Sequence, residues 1–350
     1  MRMLELPHKV ADCRCPVNGL CDVYEWKTGQ RFPEELIINA CMGFQIISNK
    51  NAPAPRMIFL SYSRVGRTQY DFWAQRLGYR LLSGEGRVFP TAWSEVTQLI
   101  DQEIPVILFA LDMYHLTYLE KFYHKIHVPG HIVLLVGYDD VVAYVHDNSK
   151  EGIQKIRLED LELAWENDYL GISKKNAYFG VCMDRPNYDM ANIMRDAFRT
   201  TAEMYLHPKL SFIGLQGMQR LQTEIPQWPK MFTQDALKAI LTTFSTFTGS
   251  VLPELPDEIR EFPLGFMNPH GGGRDLFTRA LLDSVAMIGC HSWIQLAKQL
   301  DVSSLAIEAI NTNIVSDFIQ HALFNAEKYG ALFEALKAAE MPVYNIMEDL

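Results

Sequence analysis

The chain has 350 residues, enough for two domains and a large buried core. Apolar residues make up 48% and charged residues 21%, a globular composition that argues against a disordered or fibrous chain. With 32 basic against 42 acidic residues the formal charge is −10, which disfavours nucleic acid and anionic membrane surfaces as partners, although a local basic patch could still receive an acidic macromolecule.

The opening stretch, MRMLELPHKVADC, has no apolar run of the signal-peptide kind, and no stretch of about 18 apolar residues occurs anywhere. A cytoplasmic location is therefore expected, with the cysteines as reduced thiols. Val17, Leu20, Cys21 and Tyr24 recur at helical spacing, and Gly29 stops the run. Pro33-Glu34-Glu35 opens a short helix toward Ala40. RMIFLSY (56–62) reads as a strand, and TQYDFWAQRLGY (68–79) and AWSEVTQLIDQE (92–103) read as helices. IPVILFALDMY (104–114) is a continuous apolar run without a helical stripe, the pattern of a buried strand. HIVLLVGYDDVVAYVHDN (131–148) predicts two strands around an acidic turn. A short strand follows, then a helix from about Leu158, and a last strand at NAYFGVCM (176–183).

Composition changes at DRPNYD (184–189), and everything after it reads as helix. Ile193, Met194, Ala197, Phe198 and Thr201 mark one helix, and Leu237, Ile240, Leu241, Phe244 and Phe247 another. The expected organisation is an α+β domain with an antiparallel sheet over 1–184, followed by an all-helical domain over 188–350.

Three of the six cysteines fall between Cys13 and Cys21. Cys13 and Cys15 are too close for an ordinary disulfide, and no second C-x-x-C or H-x-x-x-H half completes a zinc site, so no metal is expected there. Pro16 suits the first position of a helix, which would put Cys15 at its N-cap. Unpaired backbone N–H groups and the helix dipole favour a thiolate at that place. A cysteine so placed, with His and Asp or Asn later, is the papain-type arrangement. His131 opens the predicted hairpin and would act as base, and Asp147 closes it and would orient the ring. A two-residue turn at Asp139-Asp140 would put the two on opposite sheet faces. The pairing therefore requires an odd-membered connection around Tyr138–Val142, or a bulge. Cys13 is the competing nucleophile, and Cys21 lies on the apolar stripe of the helix.

Asp112, Tyr114 and Tyr118 follow a buried strand, where they would line a substrate pocket or simply end the strand. His124, His127 and His131 lie close together, but loop and strand spacing gives no fixed ligand geometry. HGGGRD (270–275) reads as a helix-start turn more readily than as a phosphate cradle.

RCPVNGLCDVYEWKTGQRFPEELI, IPVILFALDMYHLTY, HKIHVPGHIVLLVGYDD and YVHDNS resemble the N-terminal domain of the butirosin-biosynthesis protein H family, papain-like proteins related to the C39 peptidases. NPHGGGRDLFTRALLDSVAMIG (268–289) resembles the helical domain that commonly follows. The resemblance implies transfer of an acyl group from an acyl carrier protein or peptidyl carrier protein to a small-molecule amine in natural-product biosynthesis. Catalysis would rest on Cys15, His131 and Asp147. It implies no bound cofactor, the carrier's phosphopantetheine serving as substrate arm; the helical domain, with no catalytic motif of its own, is expected to cover the site and dock the carrier. This chain departs from the family in having Arg14 where a histidine often stands, Leu116-Thr117-Tyr118 in place of Leu-Pro-Tyr, and one extra residue between Cys15 and Gly29. A papain-like cysteine peptidase and a non-catalytic binding module are the alternative readings.

Overall fold

A computed structural model describes residues 1–11, 15, 18–49, 54–61, 66–169, 172–248, 270–288 and 291–350. Cys13, Arg14, Pro16, Val17 and Cys290 lie outside the described residues, as does the side chain of Phe247. By packing, the chain divides into two units, Met1–Ile38 with Arg64–Ile193 and Asn39–Ser63 with Met194–Leu350. The second boundary falls near the predicted linker. Residues 39–63, read from sequence as part of the first domain, group with the helical unit instead.

In chain order the elements to the middle of the chain are β1 (Arg2–Met3), α1 (Leu20–Thr28), α2 (Glu34–Asn39), β2 (Met42–Ser48), β3 (Arg56–Ser61), α3 (Arg67–Leu77), β4 (Arg80–Gly84), α4 (Phe89–Asp101), β5 (Val106–Leu111), β6 (His131–Tyr138), β7 (Val142–Asp147), β8 (Lys150–Arg157), α5 (Leu158–Trp165) and β9 (Ala177–Cys182). The first unit holds an antiparallel sheet in the order β4-β9-β5-β6-β7-β8, and β1 pairs with the far end of β6. α4 begins earlier than its apolar stripe because Pro90 fits the first helical turn.

Alternate residues of the central strands, Val106 and Leu108, Val133 and Leu135, and Ala143 and Val145, share one face with Ala92, Val96 and Ile100 of α4 and Leu161, Ala164 and Trp165 of α5. Each such fully buried aliphatic side chain contributes roughly 1.5–3 kcal/mol. The other face is buried too: Phe179 packs its ring at 5.0 Å from Tyr70 of α3 and 5.6 Å from Phe109. Burial on both faces explains why β5 and β9 read as unbroken apolar runs.

The second unit pairs β2 with β3 and carries α6 (Met190–Leu206), which starts in the first unit, then α7 (Gly214–Glu224), α8 (Trp228–Met231), α9 (Gln234–Thr248), α10 (Arg274–Ile288), α11 (His291–Ile319) and α12 (Ala326–Glu348). The predicted stripes are its core: Met194, Ala197, Phe198 and Thr201 of α6 and Leu237, Ile240, Leu241 and Phe244 of α9 are buried. Among the described residues no helix is long and apolar enough to cross a membrane.

Candidate active site

His131 begins β6 and Asp147 ends β7, so antiparallel pairing brings both to one end of the sheet. The connection itself is even-membered, since Tyr138 pairs with Ala143 across Asp139–Val142. That register alone would set Leu134 opposite Asp147 and turn His131 to the other face. A bulge repairs the parity: Leu135 pairs with Val145 and Gly137 with Tyr144, leaving Val136 as the extra residue in β6. The register then aims His131 and Asp147 to the same side. The odd-membered turn expected from sequence is thus replaced by a bulge farther along the strand.

His131 Nε2 lies 2.6 Å from Asp147 Oδ2, and both side chains are buried. The same oxygen accepts the Tyr118 hydroxyl at 2.9 Å. Oδ1 accepts the backbone N–H and the hydroxyl of Ser149, at 2.9 and 2.7 Å. Burial opposes charge on Asp147, but His131 and the Ser149 donors hold the carboxyl well below its usual range. Burial likewise opposes charge on His131, yet the Asp147 carboxylate, aided by Cys15, outweighs it and raises the ring to about 10. The pair is therefore imidazolium and carboxylate at neutral pH. The second ring nitrogen, Nδ1, is buried and meets no hydrogen-bond partner of good geometry among the described residues.

Cys15 is a half-buried free thiol whose Sγ lies 4.0 Å from the carbonyl oxygen of Gly130, the residue before His131. It is close enough for its charge to act on His131, Tyr70, Tyr118 and Tyr169. The expected N-cap position is corrected: Cys15 belongs to a 3-10 turn in which its carbonyl accepts the Asn18 N–H at 2.9 Å, and α1 begins only at Leu20 behind Gly19. Cys15 therefore stands near the His131 ring rather than at the α1 terminus.

Local backbone devices hold this arrangement. Gly130 has φ 106°, and a Cβ there would meet the Tyr169 ring at 2.6 Å, so the turn into His131 requires glycine. The Gly130 N–H donates to the Leu111 carbonyl at 3.2 Å. Leu111 pairs with His131 after an irregularity in β5, where Ala110 takes φ 68°. Asn18, fully buried, donates from Nδ2 to the carbonyls of Ile132 at 2.8 Å and His146 at 3.3 Å, which fastens this turn to both β6 and β7. Below it, Asp22 of α1 meets His8 at 2.8 Å, His146 at 3.0 Å and Arg31 at 2.8 Å. Burial opposes the Asp22 charge, but these partners hold it down to about 2. The Tyr70 hydroxyl is buried and makes no hydrogen bond among the described residues.

The three residues read as a substrate pocket have other partners. Tyr118 supports Asp147. Asp112 is buried and caps its own loop, Oδ1 accepting the N–H groups of Tyr114 at 3.1 Å and Val128 at 3.0 Å, and Oδ2 lying 2.7 Å from His127 Nδ1. Tyr114 stacks on His127 with centroids 3.9 Å apart. The histidines also part: His131 joins the site while His127 joins Asp112. HGGGRD makes a turn, with Gly271 and Gly272 in left-handed conformations and a Cβ on Gly271 colliding with Ser304. Arg274 is buried there against Glu340, so the segment is a packed helix start.

Sequence reasoning missed Asn18, Asp22, Tyr70, Ser149 and Tyr169. Ser149 alone carried a signal, since an Asp two residues before a Ser is an Asx-turn pattern.

Residues 14–148 match the N-terminal domain of butirosin biosynthesis protein H. Over that segment, 135 of the 350 residues, the chain has the N-terminal domain of that family. The matched segment of this butirosin biosynthesis protein H relative opens beside Cys15 and closes beside Asp147, and so spans Cys15, His131 and Asp147. It is the α+β part of the chain, in which Nε2 of His131 meets the Asp147 carboxylate. Residues 159–249 match a domain of unknown function (DUF4872). A solved structure of a proposed C39-like peptidase from Bacillus anthracis is similar at 17% identity and a TM-score of 0.32, over 53% of this chain and 96% of that one. No curated protein matches.

Proposed function

We propose that this cysteine-type, papain-like protein is an acyltransferase that forms amides in natural-product biosynthesis through an acyl-Cys15 intermediate. The observation that carries the reading is the ordered set of Cys15, His131 and Asp147, with Nδ1 of the ring left without a partner beside the thiol. Butirosin biosynthesis, named in the family's description, supports a biosynthetic setting.

In the first half-reaction the Cys15 sulfur, its proton held on His131, attacks the carbonyl carbon of a carrier-bound thioester. The Tyr70 hydroxyl, a free buried donor within electrostatic reach of the sulfur, is the proposed partner for the oxyanion. The carbon–sulfur bond to the pantetheine arm breaks, and His131 returns the proton to the departing thiol. In the second half-reaction an amine nitrogen attacks the acyl-Cys15, His131 takes a proton from it, and Cys15 is expelled as the amide forms. One thioester is exchanged for another in the first half, which is roughly isoenergetic. Aminolysis then runs downhill. Asp147 stays ionised and keeps Nε2 of the ring occupied, so Nδ1 is the nitrogen that exchanges protons.

The test is turnover of acyl-pantetheine or acyl-carrier-protein thioesters by the full-length protein with and without a panel of amines. Amide products and faster thioester loss in the presence of amine are expected. Efficient cleavage of peptides with no effect of amine would replace this reading with a peptidase, and no acyl-Cys15 from any substrate would replace it with a binding module.

A further inference from the structure

The loop between β5 and β6 carries three of the chain's ten histidines, His115, His124 and His127, and none of them joins the site at His131, where β6 begins. Two side-chain groups in the described residues have the composition of a metal site, His8 with Asp22 and His146, and Asp112 with His115 and His127. They differ in what already holds the carboxylate. Asp22 is paired with the Arg31 guanidinium at 2.8 Å, so a cation is already in place there. Asp112 has no lysine or arginine partner among the described residues, and its one side-chain neighbour at bonding distance is His127.

We propose that Asp112, His115 and His127 bind one divalent first-row transition ion, such as Zn²⁺ or Ni²⁺. Two imidazole nitrogens and one carboxylate oxygen are a donor set that suits these ions, with water completing the shell. The candidate ligand atoms all lie within 4.8 Å of one another. A tetrahedral ion with bonds of ~2.0–2.2 Å holds its ligands about 3.3–3.6 Å apart. The 2.7 Å contact of Asp112 Oδ2 with His127 Nδ1 needs only a small opening to admit it.

The surroundings are those of a ligand set held in place. Asp112 Oδ1 is fixed by two backbone N–H groups, from Tyr114 and Val128, which leaves Oδ2 pointing to the histidines. The His127 ring is held by stacking on Tyr114 at an interplanar angle of 11°. Such outer contacts orient ligands toward a metal. The Asp112 side chain is 8% exposed and that of His127 64%, so the site has a fixed base and an open mouth through which an ion and water can enter.

The consequence reaches the active site through the chain. Asp112 and His127 stand near the two ends of the loop, which carries Tyr118 to Asp147 and runs through Gly130 into His131. A bound ion clamps both ends of this loop.

Binding is measured by titrating Zn²⁺ and Ni²⁺ into metal-free, full-length protein carrying Cys15→Ala, which removes thiolate binding at the active site and separates this proposal from the acyltransferase reading. One ion per chain and a rise in melting temperature are expected. His115→Ala and His127→Ala should each weaken binding by more than about 100-fold, because loss of a direct ligand exceeds the usual loss from an outer contact. His124→Ala should leave it within about threefold. Melting curves without metal show that the variants fold. No saturable binding in Cys15→Ala protein, or binding that survives either ligand substitution in a folded variant, overturns the proposal.

Discussion

Arg274 and Glu340 in the helical unit, and His131 and Asp147 in the sheet unit, are both ion pairs taken out of water. Arg274 meets the carboxylate twice, Nε to Oε1 at 3.0 Å and Nη2 to Oε2 at 3.1 Å, and Nη1 reaches the carbonyls of Leu60 and Gly272. Ser303 adds a further bond to Glu340. Every guanidinium nitrogen is engaged, as a buried charge requires if it only holds helices together. His131 is different. Its Nε2 is fully used, and its Nδ1 is buried without a hydrogen bond. An unsatisfied buried polar atom costs about 1–3 kcal/mol. In the sheet unit the group within reach of that ring is the Cys15 thiol. In the proposed reaction the incomplete cluster is the one that exchanges protons.

Substitution of Asp147 by Asn should separate the two most sharply. The Asn side chain can still accept from Ser149, so the fold should persist, while the amide-forming rate falls by about 10³–10⁴-fold because the ring loses the charge that orients it and holds its proton. The same variant sharpens the pH dependence. The His131 pKa rises on folding from 6.5 to about 10, so its contribution to stability is complete below about 6.5 and is lost as pH rises through about 10. The Asp147 pKa is lowered from 3.8, so its contribution is present above 3.8 and is lost as pH falls through the lower folded value. Melting temperature measured against pH should therefore show both losses in the native protein and a flatter alkaline limb in Asp147→Asn.

Glu340→Ala should have the opposite signature. Leaving Arg274 buried and unpaired should cost about 3–5 kcal/mol in denaturant unfolding, whereas replacing both partners by apolar residues of similar size should recover most of it. If the double replacement destabilises as much as the single one, Glu340 does more than neutralise Arg274.

A smaller effect belongs to Tyr118→Phe. The substitution removes one of several donors to Asp147, so a loss of about 1 kcal/mol and a rate decrease of no more than about tenfold are expected. A loss as large as that of Asp147→Asn would mean that Tyr118 touches substrate, as its place in the sequence first suggested.

Local pattern and long-range pairing were not equally legible. The buried run of β5, the hairpin carrying His131 and Asp147, and the stripes of α6 and α9 follow from apolar periodicity, because each buries a face dictated by its own neighbours in sequence. β4 was not readable: RLLSG is a short edge strand with mixed exposure. β2 was missed as well, since MGFQIIS runs buried without alternation and its partner lies beyond an intervening segment. The start of α1 was misplaced because Pro16 is an equally good signal for a tight turn. His8, Asp22 and His146 meet only through tertiary packing, the latter two 124 positions apart in the chain, and no spacing announces such a contact. The Val136 bulge shows the limit most clearly: the need for a parity change was legible, and its position was set by how β6 packs.

The central claim is that Cys15 accepts an acyl group with His131 as its proton partner. Its most direct test is intact-mass and peptide-mapping analysis of the full-length protein after brief exposure to an acyl-pantetheine thioester without amine. The account predicts a single acyl adduct mapping to Cys15, absent from Cys15→Ala and discharged to an amide when amine is added. An adduct of equal yield in Cys15→Ala, or one that maps to Cys13, would contradict it.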